Sequence, residues 1–181
     1  MNHRQTELLE LLETCGAGLY ALLTRLTLRE DVAEELMQDL FLRLHTARDQ
    51  GGIECWQAYA RRTAIHLAFD WRRRQKTRRA RSLDDLMEQP SQTGSPLNEL
   101  IEAEELEQVL AAIGRLRRDS REAFVMRYIQ QDSYEEIARQ LGKTPHHARA
   151  LCSRAMNTLR GTIECNHPPN DGKEVQHVRV E

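Results

Sequence analysis

SYEEIARQLGKTPHHARALCSRAMNTLR, residues 133–160, decides the fold of the second half of the chain. Ser133 can cap a helix, and Glu136 stands where a capping box needs a side chain that reaches back to the cap's own amide. Tyr134, Ile137 and Leu141 share one face, and the small Ala138 lets a following helix cross closely. Gly142 supplies the left-handed residue that ends the helix. Thr144 is a good cap for the next one, Pro145 suits its first position, and Ala148, Leu151, Cys152, Ala155 and Leu159 form its buried stripe. The stretch therefore reads as helix, tight turn, helix. Such a unit puts the N-terminal part of its second helix into the major groove of duplex DNA. The outward positions there are His146, His147, Arg149, Ala150, Ser153, Arg154 and Asn157, and most of these side chains can bond to base edges or phosphates. A plain antiparallel helix pair with a solvated face is the competing reading. The agreement of caps, glycine, small residue and charge weighs against it.

Upstream, apolar residues again recur at three- and four-residue intervals. Leu8, Leu11, Leu12 and then Leu19, Leu22, Leu23, Leu26 predict a helix, or a helix pair interrupted near Gly16 and Gly18. Val32, Leu36, Leu40 and Leu44 give a second apolar line, with Met37 and Phe41 beside it, and Gly51 and Gly52 end that helix. A third helix starts near Trp56 and runs through Tyr59, Ala60, Ala64, Leu67 and Trp71 into FDWRRRQKTRRARS, residues 69–82. No stretch alternates apolar and polar residues for long enough to make a strand. The class expected is all-α.

The formal net charge of -2 hides opposed blocks. Residues 61–82 hold nine basic side chains against the single Asp70, whereas residues 83–108 hold none against eight acidic ones. Residues 109–160 return to ten basic against five acidic. Net positive charge is thus confined to two islands, and such islands point to polyanionic partners. Between them, QPSQTGSP has the composition of a flexible connector, which divides the chain into two small helical domains. The expected layout is a first domain over 1–82, an acidic linker over 83–105, a helix-turn-helix domain over 106–160 and a disordered tail over 161–181. The longest apolar runs are four or five residues, and MNHRQTELLELL is no leader, so a cytoplasmic protein without membrane segments is expected. Cys15, Cys55, Cys152 and Cys165 are scattered and indicate neither a disulfide framework nor a zinc site. Cys165, His167 and His177 are too irregularly spaced to be read as metal ligands. No cofactor is expected. Nor is an enzyme, for want of a nucleophile with a paired base, a phosphate-cradling glycine loop or a ligand cluster.

The basic run gains meaning from its junction with an aromatic-bearing helix. Trp56, Tyr59, Phe69 and Trp71 offer faces for stacking exposed bases, worth about 1–3 kcal/mol per base, while neighbouring arginines attract the phosphates. Trp56 is expected in the core and Trp71 exposed.

Three stretches, DVAEELMQDLFLRLHTA (31–47), AYARRTAIHLAFDWRRR (58–74) and residues 116–160, resemble in order and separation the extracytoplasmic-function sigma factors, the small two-lobed class of the sigma-70 family. The resemblance implies a region 2 helical bundle, a region 4 helix-turn-helix and promoter-specific transcription initiation with core RNA polymerase. By position, Glu35, Leu36, Gln38, Asp39, Phe41 and Leu42 would contact the polymerase. Arg61, Arg62, His66, Asp70, Trp71, Arg72 and Arg73 would read and open the -10 element. His146, His147, Arg149, Ser153, Arg154 and Asn157 would bind the -35 element as duplex. Promoter DNA and an anti-sigma factor are the further partners implied. Three positions depart from the family's usual residues: His66 for asparagine, His147 for threonine and Leu151 for a basic side chain. The acidic segment, including Asp84, Asp85, Glu99, Glu102, Glu104 and Glu105, is expected either to follow a basic channel of the polymerase or to shield the basic run in the free protein. The alternative function is a helix-turn-helix regulator that acts without being a polymerase subunit.

Overall fold

The computed structural model describes residues 3–82 and 97–166, and every regular element among them is helical. The elements are α1 (His3–Thr27), α2 (Glu30–Gln50), α3 (Trp56–Ser82), α4 (Leu97–Arg115), α5 (Arg118–Phe124) continued by a π-helical turn at Val125–Ile129, α6 (Tyr134–Leu141) and α7 (Pro145–Asn166). The connector centre QPSQTGSP, Asp84 and Asp85, and the tail with His167 and His177 lie outside the described residues.

The first three helices pack on one another, and α5, α6 and α7 form a second unit against which α4 lies. Leu19, Leu22, Leu23 and Leu26 of α1 meet Val32, Leu36, Leu40 and Leu44 of α2 and Ala64, Ile65, Leu67 and Ala68 of α3, all of them buried. This stripe is continuous with the buried residues of the second unit, among them Leu110, Ile113, Val125, Met126, Ile137 and Leu159. The two lobes therefore share one apolar core.

Helix α1 is one uninterrupted rod rather than a pair broken near Gly16 and Gly18. A glycine inside a helix costs only about 1 kcal/mol relative to alanine. Burial of Leu11, Leu19, Leu22, Leu23 and Leu26 along the same rod more than offsets that. Chain breaks do fall where a positive φ is required: Gly51 (φ 72°) ends α2, and Gly142 (φ 63°) ends α6. The acidic stretch expected to be linker up to residue 105 is already helical from Leu97, and α7 runs past residue 160 to Asn166.

The helix-turn-helix has the local chemistry read from its sequence. The Ser133 hydroxyl accepts the Glu136 amide (3.1 Å), and the Thr144 hydroxyl accepts that of His147 (3.2 Å). The reciprocal half of the capping box is absent. The Glu136 carboxylate instead accepts from Gln140 Nε2 (2.9 Å) and pairs with Arg139.

Two glycine-to-alanine substitutions are predicted to act with opposite signs. Gly16→Ala, where an added methyl meets open space inside a helix, should stabilise by about 0.5–1 kcal/mol. Gly142→Ala, held at φ 63°, should destabilise by about 1–2 kcal/mol. Urea-unfolding midpoints of the two variants check both.

Candidate nucleic-acid interface

Helix α7 separates its faces cleanly. Ala148, Leu151, Cys152, Ala155 and Leu159 are buried, while His146, His147, Arg149, Ser153, Arg154 and Asn157 are exposed. Leu151, which departs from the basic residue usual in the family, is 5% exposed and belongs to the packing of the helix. Burial pushes the Cys152 thiol pKa up, as for a packed apolar residue. Tyr134 of α6 is flanked by two guanidinium groups, with Arg127 at 4.7 Å and Arg149 at 4.9 Å from its ring centre. This stacking positions Arg149 at the edge of the exposed row.

Helix α3 presents its cations differently, because the second lobe lies against them. Glu122 of α5 is completely buried, a state a carboxylate tolerates only when paired and hydrogen-bonded. Its Oε2 accepts from Arg62 Nε (2.8 Å), and its Oε1 meets His66 Nε2 and Arg118 Nε (3.2 Å). Burial alone would raise the pKa of this carboxyl. The His66 hydrogen bond and the Arg62 charge outweigh burial and hold it below the ordinary range. Arg61 pairs with Asp132 (3.4 Å), and Arg72 pairs with Glu107 while also donating to the Leu26 carbonyl (3.1 Å). Arg25 of α1 donates to the Ile129 carbonyl (3.2 Å), which adds a fourth tie between the lobes.

Four of the seven residues assigned to the -10 element, Arg61, Arg62, His66 and Arg72, are thus held by carboxylates of the second lobe. Asp70 forms an ion pair with Arg73 one turn on (3.3 Å), and Arg73 is otherwise exposed. Trp71, expected to be exposed, is half-buried against the shared core. Trp56 is also half-buried and meets Tyr59 edge-on, with ring centres 6.1 Å apart.

The carboxylates that reach α3 are Glu107, Glu122 and Asp132, none of which the sequence reading marked. Glu104 and Glu105 of the acidic segment are exposed, and the side chains of Glu99 and Glu102 are outside the described set. One signal did stand in the sequence. Glu122 sits in REAFVMRY, directly before four residues that are all buried, and a carboxylate in a buried register needs a partner.

On α2, Glu35, Gln38 and Asp39 are exposed, Phe41 is 36% exposed and Leu42 62% exposed. Leu36 is only 2% exposed and lies in the core beneath that face. Leu42, Thr46, Tyr59, Arg62 and His66 line one groove, so the α2 surface runs directly into the α3 surface. Among the described residues no group of three or more potential metal ligands occurs, and no helix is long and apolar enough to cross a membrane.

Comparison with known proteins agrees with this geometry. The family description "Sigma-70 region 2" matches residues 11–78, which span most of α1 and α2 and α3 up to the middle of its basic run. "Sigma-70, region 4" matches residues 106–159, which hold the helix-turn-helix. The ECF RNA polymerase sigma factor SigX of Bacillus subtilis (strain 168) is 26% identical over 162 residues, covering 85% of this chain and 82% of SigX. Two solved structures align with most of this chain. CnrH in complex with the cytosolic domain of CnrY has a TM-score of 0.52 at 18% identity, covering 90% of each chain. The sigma factor RpoE in complex with the anti-sigma factor NepR from Bartonella quintana has a TM-score of 0.46 at 24% identity, covering 88% of this chain and 96% of that one. With both conserved regions in their proper order on the matching helical lobes, the chain belongs to the sigma-70 family, in its extracytoplasmic-function group, and serves promoter-specific transcription initiation by RNA polymerase.

Proposed function

We propose that α7 binds the -35 element as duplex, that α3 holds the opened -10 element, and that the α2 face docks on core polymerase. The observation that carries this reading is the chemistry of α3. A helix face that already binds three carboxylates through Arg61, Arg62, His66 and Arg72 is suited to bind phosphates through the same groups. His146, His147, Arg149, Ser153, Arg154 and Asn157 form the duplex-facing row, and they stand exposed in the same closed arrangement. Arg73 and Trp71 complete the α3 set beside Asp70, with Trp71 as the stacking group.

Strand opening needs no chemistry from this chain. A surface that binds unpaired bases better than paired ones shifts the duplex toward the open state, at a cost of a few kcal/mol per extruded base. Stacking on Trp71 with charged contacts from Arg72 and Arg73 is of that size. Glu35, Gln38, Asp39, Phe41 and Leu42 form the proposed polymerase contact. The apolar pair Phe41 and Leu42, exposed beside carboxylates, favours docking on a protein over the alternative of a free-standing regulator. An anti-sigma factor is part of this reading as a further partner.

The closed lobes cover α3, so the protein is proposed to bind the -10 strand only after Glu107, Glu122 and Asp132 withdraw. Counterion release makes every such contact salt-dependent.

Transcription in vitro with sigma-free polymerase tests the assignment: the protein should direct starts at a defined promoter. The double variant Phe41→Ala/Leu42→Ala should lose at least tenfold at limiting concentration while keeping its helical circular-dichroism spectrum. Unchanged activity would remove the α2 face from the proposal. Glu122→Gln, which keeps the shape and removes the charge, should raise the free protein's affinity for a single-stranded -10 oligonucleotide several-fold in an anisotropy titration. An unchanged affinity would mean that the second lobe does not mask α3.

A further inference from the structure

The two lobes do not meet through opposite charges along their whole seam. Away from Glu122, a cavity of about 350 Å³ opens between α3 and the corner of α4 and α5. One side is apolar, made by Phe69, Leu110, Ala111 and Gly114, with Trp71 also in the lining. Phe69 packs closely on Gly114, where an added methyl would lie 3.3 Å from the ring, tighter than an ordinary contact. Most of the polar lining is cationic: Arg29 precedes α2, Arg72, Arg73 and Lys76 come from α3 with Arg73 paired to Asp70, and Arg115 and Arg121 come from the second lobe. The one carboxylate in the lining among the described residues, Glu107, is already paired with Arg72.

Arg121 shows what the cavity lacks. Its guanidinium lies 5.1 Å over the Phe69 ring and donates through Nη1 to the Gly114 carbonyl (3.1 Å). Its Nε is buried and has no acceptor. Burial also pulls the pKa of this group down, against the opposing charges of Asp70 and Glu122. A buried donor without an acceptor is costly, and like charges facing one another across a seam repel, so an anion between them removes both penalties.

We propose that this cavity binds a nucleoside di- or triphosphate, with the base on the apolar side beside Trp71 and the phosphates on Lys76, Arg115 and Arg121. The volume suits a ligand of that size. Guanidinium groups match phosphate oxygens in their planar, two-pronged geometry. A polyphosphate alone would leave the apolar side unused, and a singly charged apolar acid would leave most of the cations unpaired. Because those cations come from both lobes, the ligand is held fully only when the lobes are closed, and it stabilises that form by mass action. On the reading of α3 proposed above, on which this consequence rests, a bound nucleotide would keep the -10 face covered.

The test uses the full chain without polymerase or promoter, so its result is independent of transcription activity. Intrinsic tryptophan fluorescence and calorimetry would follow titration with ATP, GTP, ADP, tripolyphosphate and a short single-stranded oligonucleotide at physiological salt. Saturable one-to-one binding of at least one nucleotide is expected, with a dissociation constant below about 1 mM. Arg115→Gln, at an exposed position, and Arg121→Gln should each weaken it about tenfold or more. Four results would each overturn the site: no saturable nucleotide binding, equal binding of tripolyphosphate, tighter binding of the oligonucleotide, or unchanged affinity in both variants.

Discussion

A carboxylate sealed from water dictates how this molecule is put together. Glu122 has no access to solvent, and an isolated buried charge would cost far more than the marginal stability of a small domain. It stays ionised because α3 brings Arg62 and His66 to it while its own helix supplies Arg118. Two of its three partners belong to the other lobe. A buried pair of this kind adds little net stability against an apolar replacement, yet breaking it by removing one partner costs about 3–5 kcal/mol. The contact therefore acts chiefly on specificity, because it fixes which face of the second lobe meets α3 and in what register.

The apolar part of the seam follows from that register. With Glu122 seated between Arg62 and His66, Phe69 lies one helical turn farther along α3 and packs closely on Gly114, and Arg121 stacks over it. The same rotation of α3 turns Arg72 toward Glu107 and Arg61 toward Asp132. These outer pairs keep one or both members partly in water, so each is individually weak and exchangeable. A polyanion that offers phosphates to Arg61 and Arg72 competes with them on even terms. Glu122 is the harder contact to displace.

Legibility in the sequence followed the range of the interactions. The helix-turn-helix was readable residue by residue, because Ser133, Gly142, Thr144 and Pro145 act within a few positions of themselves and the buried stripe of α7 is periodic. Gly16 and Gly18 left α1 open between one helix and a broken pair for the converse reason: local propensity disfavours a continuous rod, and the packing of its leucines on distant helices overrides it. Trp71 was expected outside, but it packs in part against the shared core, a long-range contact invisible to a local reading. Glu122 and Asp132 are 60 and 71 residues from their α3 partners, so no periodicity or cap could announce those pairs. The substitution of histidine for the family's usual asparagine at His66 was visible, yet its partner became apparent only with the lobes assembled.

The two cationic surfaces consequently differ in availability, and that difference orders the proposed events. The row on α7 faces outward in the closed arrangement, whereas the α3 row is engaged along much of its length. Contact with duplex DNA through α7 requires no change in the seam, but contact with a single strand through α3 requires the lobes to part. Parting breaks a buried ion cluster and exposes the shared apolar surface, so it needs binding energy from elsewhere, and α2 offers its Phe41 and Leu42 in the first lobe without obstruction. The proposed docking face at α2 adjoins the groove that runs to Arg62 and His66. A large partner seated there would press on the seam where Glu122 closes it. The α3 face would then be released only in the presence of the enzyme that can use an opened strand.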